Sequence, residues 1–195
     1  MKFKHFLILL FVIMPILNGC AFVALGGAAA TGAAIVQDRR PKTLMANDER
    51  IEIKANLELN AYDSLRDKTH FNVTSFNGIV LLTGEAPNEQ LRNKISSIVR
   101  IINGVKVIQD HIHVMKPTNY SSRSKDTMIT TKVKSALLKS NKLPGFDSAH
   151  IKVLTENQRV YLMGLVYQPE AEAATEITRR VKGVKQVIKV FEYIE

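Results

Sequence analysis

The sequence predicts an α+β protein: two tandem αββαβ units, each a three-stranded mixed sheet with two helices on one face. Two observations carry this expectation. The chain repeats itself at a shift of about 80 residues, and within each copy the apolar period changes between helical and alternating in the same order. Residues 70–84 lie over 150–164 without a gap, with identities at His70/His150, Val73/Val153, Asn77/Asn157, Val80/Val160, Leu82/Leu162 and Gly84/Gly164. Upstream, Asp48/Asp126, Ile51/Ile129, Lys54/Lys132 and Leu59/Leu137 align. Downstream, Gly104-Val105-Lys106 matches Gly183-Val184-Lys185.

The first helix of each unit follows from Ile51, Ala55, Leu59 and Tyr62, and from Ile129, Val133, Ala136 and Leu137. Two β-rich runs come next, joined at Asn77-Gly78 and at Glu156-Asn157-Gln158. Asn-Gly between two such runs is a strong hairpin signal. A second helix carries Ile95, Ile98 and Ile102, or Ala174, Ile177 and Val181. Gly104 and Gly183 are expected to end it as C′ glycines. The last strands run over residues 105–114 and 184–194. Phe71/Ile151, Val73/Val153, Val80/Val160 and Leu82/Leu162 should face the helices. Ile79 and Leu81 then lie on the outer sheet face, a candidate protein or domain interface, with cover by a loop or the tether as the alternative.

The N-terminus reads as an address. A basic start, Lys2 and Lys4, precedes an apolar run over residues 6–17 and then Leu17-Asn18-Gly19-Cys20. That pattern resembles a bacterial lipobox, which makes Cys20 the lipid attachment point and residues 1–19 a signal peptide. An uncleaved signal anchor is the alternative, although Pro15, Gly26, Gly27 and Gly32 interrupt the segment. Residues 20–45 read as a Gly/Ala-rich tether, 46–116 as the first domain, 117–123 as a linker and 124–195 as the second domain. An extracytoplasmic chain makes nucleic acid a poor partner despite the net charge of +9. One cysteine excludes an intramolecular disulfide framework and a Cys-based zinc site.

The duplicated pattern of Asp48…Ile51, Leu82-Thr83-Gly84 and Gly104-Val105…Ile108, with Asp126…Ile129, Leu162-Met163-Gly164 and Gly183-Val184…Val187, resembles tandem BON domains. With the lipobox, the tether and Asp38-Arg39-Arg40, the whole chain resembles the DolP family of dual-BON outer-membrane lipoproteins. Met163, where the first copy has Thr83, departs from the repeat. The resemblance implies a lipid-anchored protein of the outer membrane facing the periplasm, with a role in membrane integrity at division sites.

No catalytic constellation is evident: Gly-x-Ser-x-Gly, P-loop and His-Glu-x-x-His patterns are absent from the sequence. The expectation is therefore no enzyme, no cofactor and no metal. His111 and His113 share one strand face but lack an evident third ligand, and read as solvated. His70 and His150, matched between the copies, suggest a shared structural role. Glu170, Glu172 and Glu176 read as a solvated helix face.

Charge is local. Residues 46–116 carry nine basic and nine acidic groups, residues 117–195 carry 13 and eight. In the second domain's first helix, Arg123, Lys125, Lys132, Lys134, Lys139 and Lys142 stand against Asp126 alone. Met128 and Leu138 point away from the core stripe among these lysines, as an interfacial membrane helix requires. An ordinary solvated basic helix is the alternative. The family resemblance implies that this helix contacts anionic phospholipid, such as phosphatidylglycerol or cardiolipin. The site set is Arg123, Lys125, Met128, Lys132, Lys134, Leu138, Lys139 and Lys142. The rival is an envelope protein partner bound on Ile79 and Leu81.

Overall fold

The computed structural model describes residues 38–140 and 146–195. Cys20, the signal peptide, most of the tether and Lys142 lie outside them. The first domain contains α1 (Lys42–Asn60), a one-turn helix α2 (Asp63–Arg66), β1 (His70–Phe76), β2 (Ile79–Ala86), α3 (Glu89–Arg100) and β3 (Val107–Val114). The second contains α4 (Tyr120–Leu138), a 3-10 turn (Ser148–His150), β4 (Ile151–Glu156), β5 (Arg159–Val166), α5 (Gln168–Arg179) and β6 (Gln186–Tyr193). Helix α1 starts four residues ahead of the expected domain boundary, at Lys42 behind Pro41, whose fixed φ suits a helix entry.

Each domain forms one mixed sheet, ordered β1-β2-β3 and β4-β5-β6. The first pair is an antiparallel hairpin, and the second is parallel because α3 or α5 carries the chain across. Both hairpins turn through two residues of positive φ: Asn77 (53°) and Gly78 (78°), then Asn157 (52°) and Gln158 (63°). That is the type I′ geometry, whose twist matches the flanking strands.

An aspartate from the first helix holds each turn. Asp48 accepts from the backbone N–H of Asn77 (2.7 Å) and Gly78 (2.9 Å) and from Ser75 Oγ (2.7 Å). Asp126 accepts from the N–H of Asn157 (2.9 Å) and Gln158 (2.8 Å). Both aspartates are buried, and their lone pairs satisfy donors that the tight turn cannot pair. The aligned pair Asp48/Asp126 is thus a helix-to-hairpin clamp.

Gly84 and Gly164 have a packing reason. A Cβ there would come within 2.0 Å of the His70 carbonyl oxygen or 2.3 Å of that of His150. Gly104 and Gly183 differ from expectation. The helices end at Arg100 and Arg179 with Ile101 and Arg180 as C-caps, so these glycines lie beyond C′, in the turn that starts the last strand.

Two apolar cores lie between sheet and helices. Ile51, Ala55, Leu59, Val80, Leu82, Ile95 and Val99 build the first. Ile129, Val133, Leu137, Val160, Leu162, Ala174 and Ile177 build the second. A third cluster joins the domains. Phe76 and Leu81 from one outer sheet face meet Tyr161, Met163 and Val190 from the other, with Ile79, Leu154, Leu165 and Ile188 around them. Leu81 and Tyr161 occupy equivalent positions of the repeat and are 0% and 1% exposed. The outer face carrying Ile79 and Leu81 is therefore covered by the other domain's sheet, not by a loop. Met163 fills this interface, where the shorter Thr83 stands in the first copy.

The same interface corrects the reading of His111 and His113 as solvated. The His111 ring meets Tyr161 edge-on at 5.2 Å, and Arg159 Nη1 lies 2.6 Å from His113 Nε2. Burial first, and then the Arg159 guanidinium, hold both imidazoles below their ordinary pKa. His113 is therefore neutral and accepts from the guanidinium. Burial also pushes the Tyr161 phenol up to about 12. Cross-domain hydrogen bonds rim the cluster, from Asn77 Nδ2 to Glu192 (2.8 Å) and from Lys152 Nζ to Glu52 (2.9 Å).

Candidate membrane-binding helix

Helix α4 is placed by its apolar stripe. Ile129, Val133 and Leu137 enter the second core, and Asp126 grips the hairpin. Asn119 caps its N-terminus by accepting from the Ser122 N–H (3.0 Å). These fixings leave one broad face in solvent. Lys125, Lys132, Lys134 and Lys139 are all exposed on it, with Met128 at 58% and Leu138 at 73%.

Sequence reasoning missed Tyr120, which is 84% exposed in the first turn. At about 100° per residue, positions 18 apart coincide, so Tyr120 and Leu138 mark the two ends of one line along the helix. An aromatic at helical register with Leu138 was the available signal.

Three hydroxyls of this face are internally satisfied. Ser124 donates to the Tyr120 carbonyl (3.0 Å), Thr127 to that of Arg123 (3.1 Å) and Thr131 to that of Thr127 (3.0 Å). Such back-bonding lowers the cost of taking the face out of bulk water. Beside its C-terminal end, Leu137, Leu138, Ile151 and Val153 line an apolar cleft of about 250 Å³ with Lys134 at the edge.

Arg123 stands apart from the other basic residues. It is half-buried, donates from Nη2 to the Thr118 carbonyl (3.0 Å) and stacks 5.4 Å from the centre of the Tyr120 ring. Its guanidinium is held at the linker carbonyl of Thr118 and is not free in solvent as the lysines are.

The equivalent helix α1 differs. It also exposes apolar residues, Ile53 at 53% and Leu57 at 69%, but Glu49 and Glu52 lie among them. Glu52 is engaged by the Ser75 N–H (2.8 Å) and Lys152.

Glu170 corrects the expectation of a solvated acidic face on α5. It is buried and gripped by Arg39, whose two terminal nitrogens lie 2.6 and 2.7 Å from its carboxylate oxygens. This fork, first among the causes, holds the Glu170 carboxyl below its ordinary range.

His70 and His150 do not share a role. His70 Nδ1 lies 3.2 Å from Glu85 Oε2 and 3.8 Å from Glu156 Oε1, whereas His150 Nδ1 is buried without a hydrogen-bond partner. Burial raises Glu85, but His70, Thr118 and Asn157 outweigh it and hold the carboxyl low. Burial pushes Glu156 up to about 7, with Glu85 and Asp126 adding to it against the pull of His70.

The two αββαβ units with their clamped hairpins define a class, tandem BON-domain proteins. The BON domain model matches this chain twice, over residues 47–116 and 125–195. The chain is 32% identical over 179 residues to Outer membrane lipoprotein DolP of Haemophilus influenzae, spanning 92% of this chain and 91% of that one. It is 32% identical over 158 residues to the 21 kDa hemolysin of Actinobacillus pleuropneumoniae, covering 81% and 80%. Osmotically-inducible protein Y of Escherichia coli is 26% identical over 184 residues, with 85% and 90% covered. The chain belongs to the DolP family of BON-domain proteins. None of these relatives is named as an enzyme. Among the described residues, no helix is long and apolar enough to cross a membrane.

Proposed function

We propose that this chain is a non-enzymatic lipoprotein of the outer membrane, anchored through Cys20, whose helix α4 docks on anionic phospholipid such as phosphatidylglycerol or cardiolipin. One observation carries the reading. The solvent face of α4 sets Met128 and Leu138 among Lys125, Lys132, Lys134 and Lys139, while Asp126, the helix's acid, is buried. Apolar side chains enter the headgroup boundary, and each lysine near an anionic surface contributes about 1 kcal/mol.

The end of the tether supports attachment at two points. Arg39 fixes it to Glu170 and the Leu165 carbonyl, at the start of α5. Helix α5 packs beside α4 in the same layer. A lipid chain on Cys20 would hold α4 close to the bilayer and raise its effective concentration there. The role that follows is support of outer-membrane integrity, with enrichment where anionic lipid gathers at division sites. The rival envelope protein partner loses its surface, because Leu81 is covered by the second domain.

Ionic strength tests the reading. Binding of the protein to vesicles containing phosphatidylglycerol should weaken steeply as salt rises, since exposed charges are screened within about 10 Å at 0.1 M. Binding that ignores salt would overturn it.

A further inference from the structure

The domain interface contains a cluster that membrane docking does not use. His70 opens β1 and pairs across the ladder with Glu85 of β2, and Glu156 ends β4 in the other domain. One nitrogen or oxygen from each of the three lies within 4.8 Å of the others. The His70 Nδ1 distances to Glu85 and Glu156 are 3.2 and 3.8 Å. A tetrahedral zinc ion with arms of about 2.0–2.2 Å needs ligand atoms about 3.3–3.6 Å apart.

Supporting groups fix both carboxylates. Asn72 Nδ2 donates to Glu156 Oε2 (2.8 Å), so Oε1 is the oxygen turned to His70. Asn157 Nδ2 donates to Glu85 Oε1, while Oε2 faces the imidazole and also accepts from the Thr118 N–H and hydroxyl, both at 3.3 Å. Each asparagine comes from the domain opposite to the carboxylate it holds. Such second partners orient ligands before an ion arrives. Glu85 is 0% exposed and Glu156 5%, so two carboxylates from different domains face each other with one imidazole between them. A divalent cation among these atoms would hold the two carboxylates together. His70 and Glu156 also border an open cleft of about 300 Å³, which gives a water access as fourth ligand.

We infer that His70, Glu85 and Glu156 form a zinc-binding site that bridges the two domains. The ligand set of one imidazole and two carboxylates suits zinc. Because two ligands come from one domain and one from the other, binding stabilises the paired arrangement by mass action.

The test is calorimetric titration of the full chain in detergent micelles, stripped with chelator and then given zinc sulfate. One zinc per chain, with a raised unfolding midpoint, is expected. Glu156→Gln and His70→Gln should each weaken the affinity at least tenfold, whereas His111→Gln should leave it unchanged. Absence of saturable binding, or wild-type affinity in both ligand variants, would overturn the site. Cobalt(II) on the unmodified chain gives a check that needs no variant. A four-coordinate absorption spectrum supports the site, and the spectrum of hydrated cobalt contradicts it.

Discussion

Arg39 and Arg40 are neighbours in sequence but bind opposite domains. Arg39 forks the Glu170 carboxylate of the second domain, while Arg40 reaches Asp48 of the first at 2.6 Å and stacks 3.7 Å above the Phe76 ring. The end of the tether is therefore a strap across both units, not a passive spacer. Asp48 serves twice, as the Arg40 partner and as the clamp of the first hairpin.

The strap should respond to acid. Arg39 holds the Glu170 carboxyl below its ordinary range, so the charged form is favoured in the folded protein. The pair's contribution is present above the ordinary carboxylate pKa and is lost as pH falls through the lowered value. Urea unfolding of wild type and Arg39→Gln should differ at neutral pH and converge in acid. A difference independent of pH would contradict the assignment.

Alkali should act on the interface. Tyr161 is pushed up to about 12, so its contribution is intact below the ordinary phenol value and lost as pH rises toward 12. Tyr161→Phe should flatten the fall in unfolding midpoint between these limits. An unchanged alkaline slope would count against burial of the phenol.

The sheet-to-sheet contact should carry much of the stability. Leu81→Ala removes a fully buried side chain and is expected to cost about 2–5 kcal/mol in denaturant unfolding. Hydrogen exchange of β5, in the other domain, should rise with it. A loss confined to the first domain would mean that the two units unfold independently.

The second hairpin keeps a side chain where the first has glycine. Gln158 sits at φ 63°, a strained value for a residue with a Cβ. Gln158→Gly should raise stability by about 0.5–1 kcal/mol, read as a higher unfolding midpoint. Lower stability would show that the Gln158 side chain contributes more than its strain costs.

Much of this architecture was legible because the repeat exposes it. Val80/Val160 and Leu82/Leu162 marked the helix-facing side twice over, and Asp48/Asp126 aligned before their clamping role was visible. Ile79 and Leu81 were legible as an apolar outer face. What covers that face was not, because Tyr161 and Val190 meet it only through the relative placement of two domains. The Arg39–Glu170 and Asn157–Glu85 bonds leave no periodic trace, joining residues 131 and 72 positions apart. The basic face of α4 could be read because its exposure follows from helical spacing alone. Arg123 escaped that logic: its guanidinium turns to Thr118 at the linker.

The central claim concerns that face, and co-sedimentation with lipid vesicles tests it most directly. The full chain should pellet with vesicles containing phosphatidylglycerol and much less with purely phosphatidylcholine vesicles. In the triple variant Lys132→Glu, Lys134→Glu, Lys139→Glu, the loss of attraction alone, about 3 kcal/mol, should lower the anionic-lipid affinity roughly 100-fold. Equal binding to the two vesicle types, or a triple variant that pellets as the wild type does, would contradict docking through α4.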